Sequence, residues 1–232
     1  MKKYFLLIAL SLMTALLVAQ ESNHYFGISY GKSFPLGDFA TDDLNNPNAG
    51  FAESGNKLDL YAGRVLGERT ILTLTFRYQS FDTDIDALVE GLQANNESTA
   101  VTGSSGSWKT YSLLLGLEYR VKISGKFHFF PRIGLGPMLV SNPQYTITAT
   151  DGNDHTTMDR SSGTGLGLGY EFGIGLKRDF GRHFSLMPTF MFSGGFVTLS
   201  DIDTTIDNTV TSSTQKPKIL TFNLGLSLAY RF

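Results

Sequence analysis

The sequence contains no cysteine, only 7 prolines and a single tryptophan, and after residue 19 it has no long uninterrupted apolar run. Without cysteine there are no disulfides, no thiol chemistry and no cysteine metal sites, so stability rests on packing and backbone pairing. Without a long apolar run in residues 20–232 there is no transmembrane helix to place there. A formal net charge of −2 provides no basic field, so no nucleic-acid partner is expected; no cofactor is expected either. Scarce proline beside 25 Gly, 18 Phe and 10 Tyr is a composition suited to strands and turns.

The first residues follow the order of a secretory signal peptide, with Lys2 and Lys3, an apolar run from Tyr4 to Val18, then Ala19-Gln20-Glu21-Ser22. The apolar run is shorter than the ~20 residues that a spanning helix requires, and no stop-transfer charges follow it. Residues 1–19 are therefore expected to be removed on export, leaving residues 20–232 as one domain.

Within that domain the dominant signal is period two. From Thr164 to Lys177, Leu166, Leu168, Tyr170, Phe172, Ile174 and Leu176 alternate with Gly165, Gly167, Gly169, Glu171, Gly173, Gly175 and Lys177. A helix cannot segregate residues in this way. Leu220, Phe222, Leu224, Leu226, Leu228, Tyr230 and Phe232 alternate at the end of the chain, and Tyr111, Leu113, Leu115, Leu117, Tyr119 and Val121 do so in its middle, where only Leu114 interrupts the polar face. Shorter runs around Phe26–Tyr30, Leu58–Ala62 and Leu72–Tyr78, together with Phe127–Leu139 and Phe184–Phe196, bring the predicted strands to eight. Pro131, Pro137 and Pro188 fall inside predicted strands, where a missing N–H implies bulges or interface positions.

The links between strands sort into two classes. Short turns are predicted near Leu66–Arg69, Ser124–Lys126 and Asp179–His183, whereas residues 34–56, 82–107, 142–162 and 199–216 form long polar links without aliphatic periodicity. Regular exchange of short and long links is the pattern of an up-and-down membrane barrel, with short periplasmic turns and four longer outside loops. The polar face decides which way the apolar face points. Its Gly, Ser and Thr with few charges suit a narrow lumen, whereas a water-exposed sheet would carry abundant Lys and Glu. Aromatics towards the strand ends are expected to form two interfacial girdles, Tyr25, Tyr119, Phe127, Phe184, Tyr230 and Phe232 at one end and Tyr78, Trp108, Tyr111, Phe196 and Phe222 at the other.

The ending Leu226-Ser227-Leu228-Ala229-Tyr230-Arg231-Phe232 resembles the C-terminal strand of outer-membrane barrel proteins. With the N-terminal segment and the eight alternating strands, the chain resembles the small, porin-like OmpX/OmpA-type barrels over almost its whole length. The resemblance implies an all-β, eight-stranded antiparallel transmembrane barrel in the outer membrane of a Gram-negative bacterium. It implies contact with lipid and lipopolysaccharide. It also implies that Tyr230 and Phe232 form the signal read by the barrel-assembly machinery.

Five charged residues share the inward parity, Asp59, Arg77, Glu118, Arg132 and Glu171, and are expected to meet in a buried network. Such a network either plugs the lumen or gates a small path; the plug is the simpler reading. Catalysis is not expected: His24, His128 and His183 lie towards the periplasmic side, and His155, beside Asp151, Asp154, Asp159, Ser161 and Ser162, matches no catalytic motif. Asp82, Asp84 and Asp86, and Asp201, Asp203 and Asp207, have spacings that suit oxygen ligation of Ca²⁺, but Ala87 stands where an EF-hand needs Gly, and hydrated loops explain them. Ile85–Leu92 is expected to form a short helical turn packed on the barrel rim. The glycines at 165, 167, 169, 173 and 175 are expected to accommodate Phe130, Met138, Met187 and Met191.

The functional expectation is a non-enzymatic barrel that displays its loops, in adhesion, envelope integrity or complex assembly, with those loops open to a protein partner. A small transport pore or a lipid-modifying enzyme are the alternatives. With Ala19 at −1 and Leu17 at −3, intact-mass analysis of the exported protein should return a chain beginning at Gln20. Retention of residues 1–19 would show a membrane-anchored precursor instead.

Overall fold

A computed structural model describes residues 24–46, 48–94, 99–152, 154–207 and 209–232. The expected signal peptide, residues 1–19, lies outside the described residues. The main body is a closed antiparallel barrel of eight strands: β1 (His24–Pro35), β2 (Ala52–Val65), β3 (Thr70–Thr83), β5 (Trp108–Tyr119), β7 (Phe127–Ser141), β10 (Thr164–Phe180), β11 (Phe184–Val197) and β14 (Lys218–Arg231). Each pairs with its neighbour in this order, and β1 closes the ring on β14 from Tyr25↔Arg231 to Pro35↔Thr221. Closure satisfies the edge amides and carbonyls that hydrocarbon cannot solvate.

Alternation becomes an inside-out distribution of polarity. Leu115 is 57% exposed and Leu166 69%, whereas Arg77 is 2% exposed. A continuous aliphatic surface of this kind is far larger than the apolar patches tolerated in water. It is the face a membrane-spanning barrel turns to acyl chains. No helix among the described residues is long and apolar enough to cross a membrane.

At one end the strands are joined by tight turns, aided by Gly67 and Gly181 at φ of +94° and +66°, a region open to glycine without strain. A short strand, β6 (Val121–Ser124), continues β5 along β7 there. The outward aromatics of this end form a packed row, Phe184 and Phe232 standing edge-on to Tyr230 at 5.2 and 5.1 Å. The other end has Tyr78 against Tyr111 at 5.1 Å and Phe192 against Phe222 at 5.1 Å. Tyr25 and Trp108 do not belong to these rows. Both point inward, 4% and 5% exposed, because their parity is that of the polar face: Tyr25 precedes outward Phe26, and Trp108 is in phase with Thr110 and Ser112.

The three strand prolines occupy breaks in pairing, not bulges. Along β5 and β7 the ladder lapses between Ser112↔Met138 and Leu115↔Leu135, spanning Pro137, and ends at Glu118↔Arg132 before Pro131. Along β10 and β11 it lapses between Gly175↔Thr189 and Arg178↔Leu186, spanning Pro188. Register is the same on both sides of each lapse, and the other edge of each proline strand stays paired through Leu168↔Pro137, Ile174↔Pro131 and Pro188↔Leu226. A missing N–H removes a hydrogen bond towards one neighbour only, so no extra residue is needed.

Three of the four long links are ordered as strands above the barrel. They form a second, five-stranded sheet in the order β4 (Ala100–Ser105), β8 (Tyr145–Asp151), β9 (Asp154–Arg160), β12 (Leu199–Ile206), β13 (Thr209–Gln215). Ser and Thr dominate these strands, which lack aliphatic alternation because most positions are exposed. A helix, α1 (Ile85–Ala94), begins where the Asp84 carboxylate accepts the Ala87 amide at 2.9 Å, an N-cap. It packs on β4, with Ile85 and Val89 over Gly103, and Leu88 lines a small space with Thr83 and Trp108 at the barrel mouth. The first long link turns inward through a short 3₁₀ segment, Gly37–Phe39.

Large and small side chains interlock inside the barrel. A Cβ on Gly175 would come within 2.3 Å of the Phe130 ring, one on Gly173 within 2.6 Å of Met191 sulfur, and one on Gly195 within 2.3 Å of Met138 sulfur. Gly175→Val should therefore overpack the lumen and destabilise the barrel by about 1–3 kcal/mol in urea unfolding from lipid vesicles. Phe130→Leu in the same chain should restore part of the loss, and an additive pair of effects would contradict this packing.

Candidate functional site

The barrel wall brings its inward-facing charges to the lumen centre. Asp59 on β2 and Arg77 on β3 are direct cross-strand partners. Arg77 donates from Nε to Asp59 Oδ1 at 2.8 Å and from Nη2 to Oδ2 at 3.1 Å, a two-point pairing of guanidinium with carboxylate. The same Nη2 lies 2.8 Å from Glu171 Oε2 on β10, and Arg132 Nη2 on β7 lies 2.8 Å from Glu171 Oε1. Glu171 thus bridges two guanidinium groups across the lumen. It has room to do so because its neighbour across the ladder is Gly134, where a Cβ would sit 3.0 Å from Glu171 Cγ.

Lys57 completes the cluster. It is fully buried and donates from Nζ to Asp59 Oδ2 at 2.9 Å. Sequence reasoning omitted it, although it is two residues from Asp59 and so on the same face. Arg132 also donates to the Thr75 hydroxyl. Glu118 stands apart: it is the ladder partner of Arg132, but it accepts from the Tyr25 hydroxyl at 3.3 Å and forms no ion pair among the described residues. With Lys57 included, three acids and three bases lie around this level, and Lys177, also buried, pairs with Asp179 at 3.4 Å nearer the tight-turn end, so acids and bases balance in a low-dielectric interior.

The charged layer has little free space, with only about 10 Å³ remaining around Asp59, Arg77 and Glu118. That is no more than the smallest cavity able to hold one water molecule. Towards the long-link end lies an amide and hydroxyl layer. Gln79 donates to the Ser33 hydroxyl at 2.9 Å and to Asn223 Oδ1 at 2.8 Å, and accepts from Thr110 at 3.2 Å; Asn223 donates to Ser193 at 2.8 Å. Beyond it is an apolar stopper. Phe39, 1% exposed, packs edge-on to Phe81 at 5.2 Å and Trp108 at 5.4 Å, while Leu199 and Ile202 fill the space beside them. Trp108 Nε1 donates to the Gly50 carbonyl at 2.9 Å, fixing the first link in the mouth. At the tight-turn end, Tyr25, Tyr61, Ile71, Phe130 and Met187 close the lumen.

The residues weighed for other chemistry are separated by this arrangement. His155 sits 3.1 Å from the Thr150 hydroxyl across the β8–β9 hairpin, and Asp159 accepts from Thr146 at 2.6 Å. Asp82 accepts from Ser107 at 3.1 Å, Asp84 caps α1, and Asp203 accepts from Ser212. Among the described residues no three carboxylate or imidazole groups converge on a metal-sized site. Tyr230 and Phe232 lie on the outer surface at the tight-turn end, and the Phe232 amide donates to the His24 carbonyl at 3.1 Å.

No protein-family model matches the chain, and no curated protein does. Among solved structures it is similar to Neisserial surface protein A (13% identity, 90% of this chain and 97% of that one, TM-score 0.43). It is similar also to a major outer membrane protein from Thermus thermophilus (15%, 90% and 99%, TM-score 0.48) and to Ail, the attachment invasion locus protein of Yersinia pestis (13%, 92% and 100%, TM-score 0.43). The eight-stranded barrel stands on the closed ladder of this chain itself, and the lumen is read from its own side chains.

Because Glu171 is the one carboxylate that both Arg77 and Arg132 face, Glu171→Ala leaves two buried guanidinium groups short of a partner. The barrel should lose about 3–5 kcal/mol in vesicle unfolding. Glu118→Ala, which frees only a tyrosine hydroxyl, should cost clearly less, and equal losses would refute this division of the network.

Proposed function

We propose that the protein is an integral outer-membrane barrel with a structural or interaction role, which holds its outer sheet above the membrane and does not conduct through its lumen. The observation that carries this reading is the contrast between the two halves of the molecule. The lumen is occupied in successive layers, aromatic, ionic, amide and apolar, while the long links form an ordered sheet with most of its side chains exposed.

In this reading residues 1–19 direct export, Tyr230 and Phe232 present the strand recognised by the barrel-assembly machinery, and the aliphatic belt contacts lipid and lipopolysaccharide. The tight turns face the periplasm and the outer sheet faces the medium. Adhesion, envelope integrity and complex assembly are the roles this architecture serves. The charge network acts as a plug that fixes the register of strands on opposite sides of the lumen. A gate would need a neighbouring space into which the guanidinium groups could swing, and the free volume at that level is about one water.

Purified protein in planar bilayers should give no reproducible ion steps. Steps whose size changes in Glu118→Ala would overturn the plug and establish a transport pore.

A further inference from the structure

A further concavity lies outside the barrel, on the outer sheet. It is a cleft of about 460 Å³ bounded by the ends of β4, β8, β9 and β12, within the size range of small-ligand sites. Its walls are held by backbone. The Gly106 amide donates to the Gln144 carbonyl at 2.8 Å, the Ser161 amide to the Asp203 carbonyl at 2.8 Å, and the Asp203 amide to the Ser161 hydroxyl at 2.9 Å. The cleft is therefore preformed, and a ligand entering it does not first have to order a loop.

Four side chains give it a chemical character. Tyr145 and Arg160 are ladder partners; the guanidinium lies 5.5 Å from the centre of the ring and Nη1 donates to the phenol oxygen at 3.1 Å. Arg160 Nε is shielded from solvent and has no acceptor. Asp159 and Asp203 each accept one side-chain hydroxyl, from Thr146 and Ser212, so each has a second carboxylate oxygen available. A smaller space of about 80 Å³ shares Tyr145 and Arg160 with the cleft and runs down to Trp108 at the barrel mouth.

We propose that this cleft binds a neutral saccharide unit of an external glycan. Two carboxylates and one guanidinium leave it anionic by one charge, so a sulfated or sialylated chain is repelled, while the guanidinium disfavours a cation. An uncharged polyol avoids both penalties. Its vicinal hydroxyls can donate to the free oxygens of Asp159 and Asp203. This inference rests on the reading of the outer sheet as the displayed surface.

The test uses the mature full chain in detergent micelles, first on an array of neutral, sialylated and sulfated oligosaccharides, then by calorimetric titration with the neutral hits. Binding should be confined to neutral glycans and unchanged from about 0.05 to about 0.5 M sodium chloride, since no net charge pairing is involved. The Asp159→Asn and Asp203→Asn pair, isosteric and able to keep the Thr146 and Ser212 bonds, should weaken it at least about tenfold, as expected when two ligand-facing carboxylates are lost. Glu90→Gln on α1 should leave it unaltered. Heat-shifted gel migration reports whether each variant remains a folded barrel, and competition on the unaltered protein by the free neutral saccharide gives a readout independent of any variant. No glycan bound, preference for charged glycans, displacement by glycylglycine but not by saccharide, or indifference to the Asp pair would each overturn the site. The plugged-lumen reading falls separately, on ion steps in bilayers.

Discussion

Backbone amides and carbonyls cannot be left unpaired in hydrocarbon, and the other features of this protein follow from that constraint. Eight strands satisfy it by closing on themselves, β14 returning to β1 over eleven ladder positions. A ring of eight is narrow, so the lumen must be filled by side chains, and large ones need glycine opposite them. Phe130 over Gly175 and Met191 over Gly173 are local results of the same closure. The prolines show how far the constraint can bend: each removes one donor, the pairing lapses on one side, and the unbroken ladder on the other side preserves register.

Filling a lumen with polar groups sets a second condition, that each buried charge find a partner at its own height. Lys57, Asp59, Arg77, Glu171 and Arg132 meet it through pairs within or between neighbouring strands and one pair, Arg77–Glu171, that spans the lumen. The network thereby ties β2 and β3 to β7 and β10 across the lumen, a connection that wall pairing alone does not provide. Each member touches an opposite charge, but Arg77 Nη1 and Arg132 Nε have no acceptor, so the cluster is not fully satisfied in hydrogen bonds. A buried cluster of this kind is weak as a source of net stability and strong as a determinant of which strand heights coincide.

At the outer end the same chain solves a different problem. Water is available there, so open sheet edges are tolerable and Ser and Thr can replace aliphatic side chains. The five-stranded sheet still needs an anchor, and Phe39, Trp108, Leu199 and Ile202 supply it by filling the barrel mouth. The plug and the displayed surface are thus one packing unit. That connection places the polar cleft, with Tyr145 and Arg160 at its base, directly above the stopper.

The strand count, the lipid-facing side and the inward direction of Asp59, Arg77, Glu118, Arg132 and Glu171 were legible in the sequence, because a period of two is a local property of the chain. Strict parity also places Tyr25, Lys57 and Trp108 inside, although aromatic residues near strand ends suggest girdles and a lone Lys draws no notice. Tertiary structure alone decided the heights at which inward groups meet. Strand stagger around a closed ring puts Glu171 between two arginines and leaves Glu118 with Tyr25, and no local pattern records stagger. It alone also made a sheet of the long links, since exposed Ser and Thr strands carry no hydrophobic period and are specified only by their partners across the sheet.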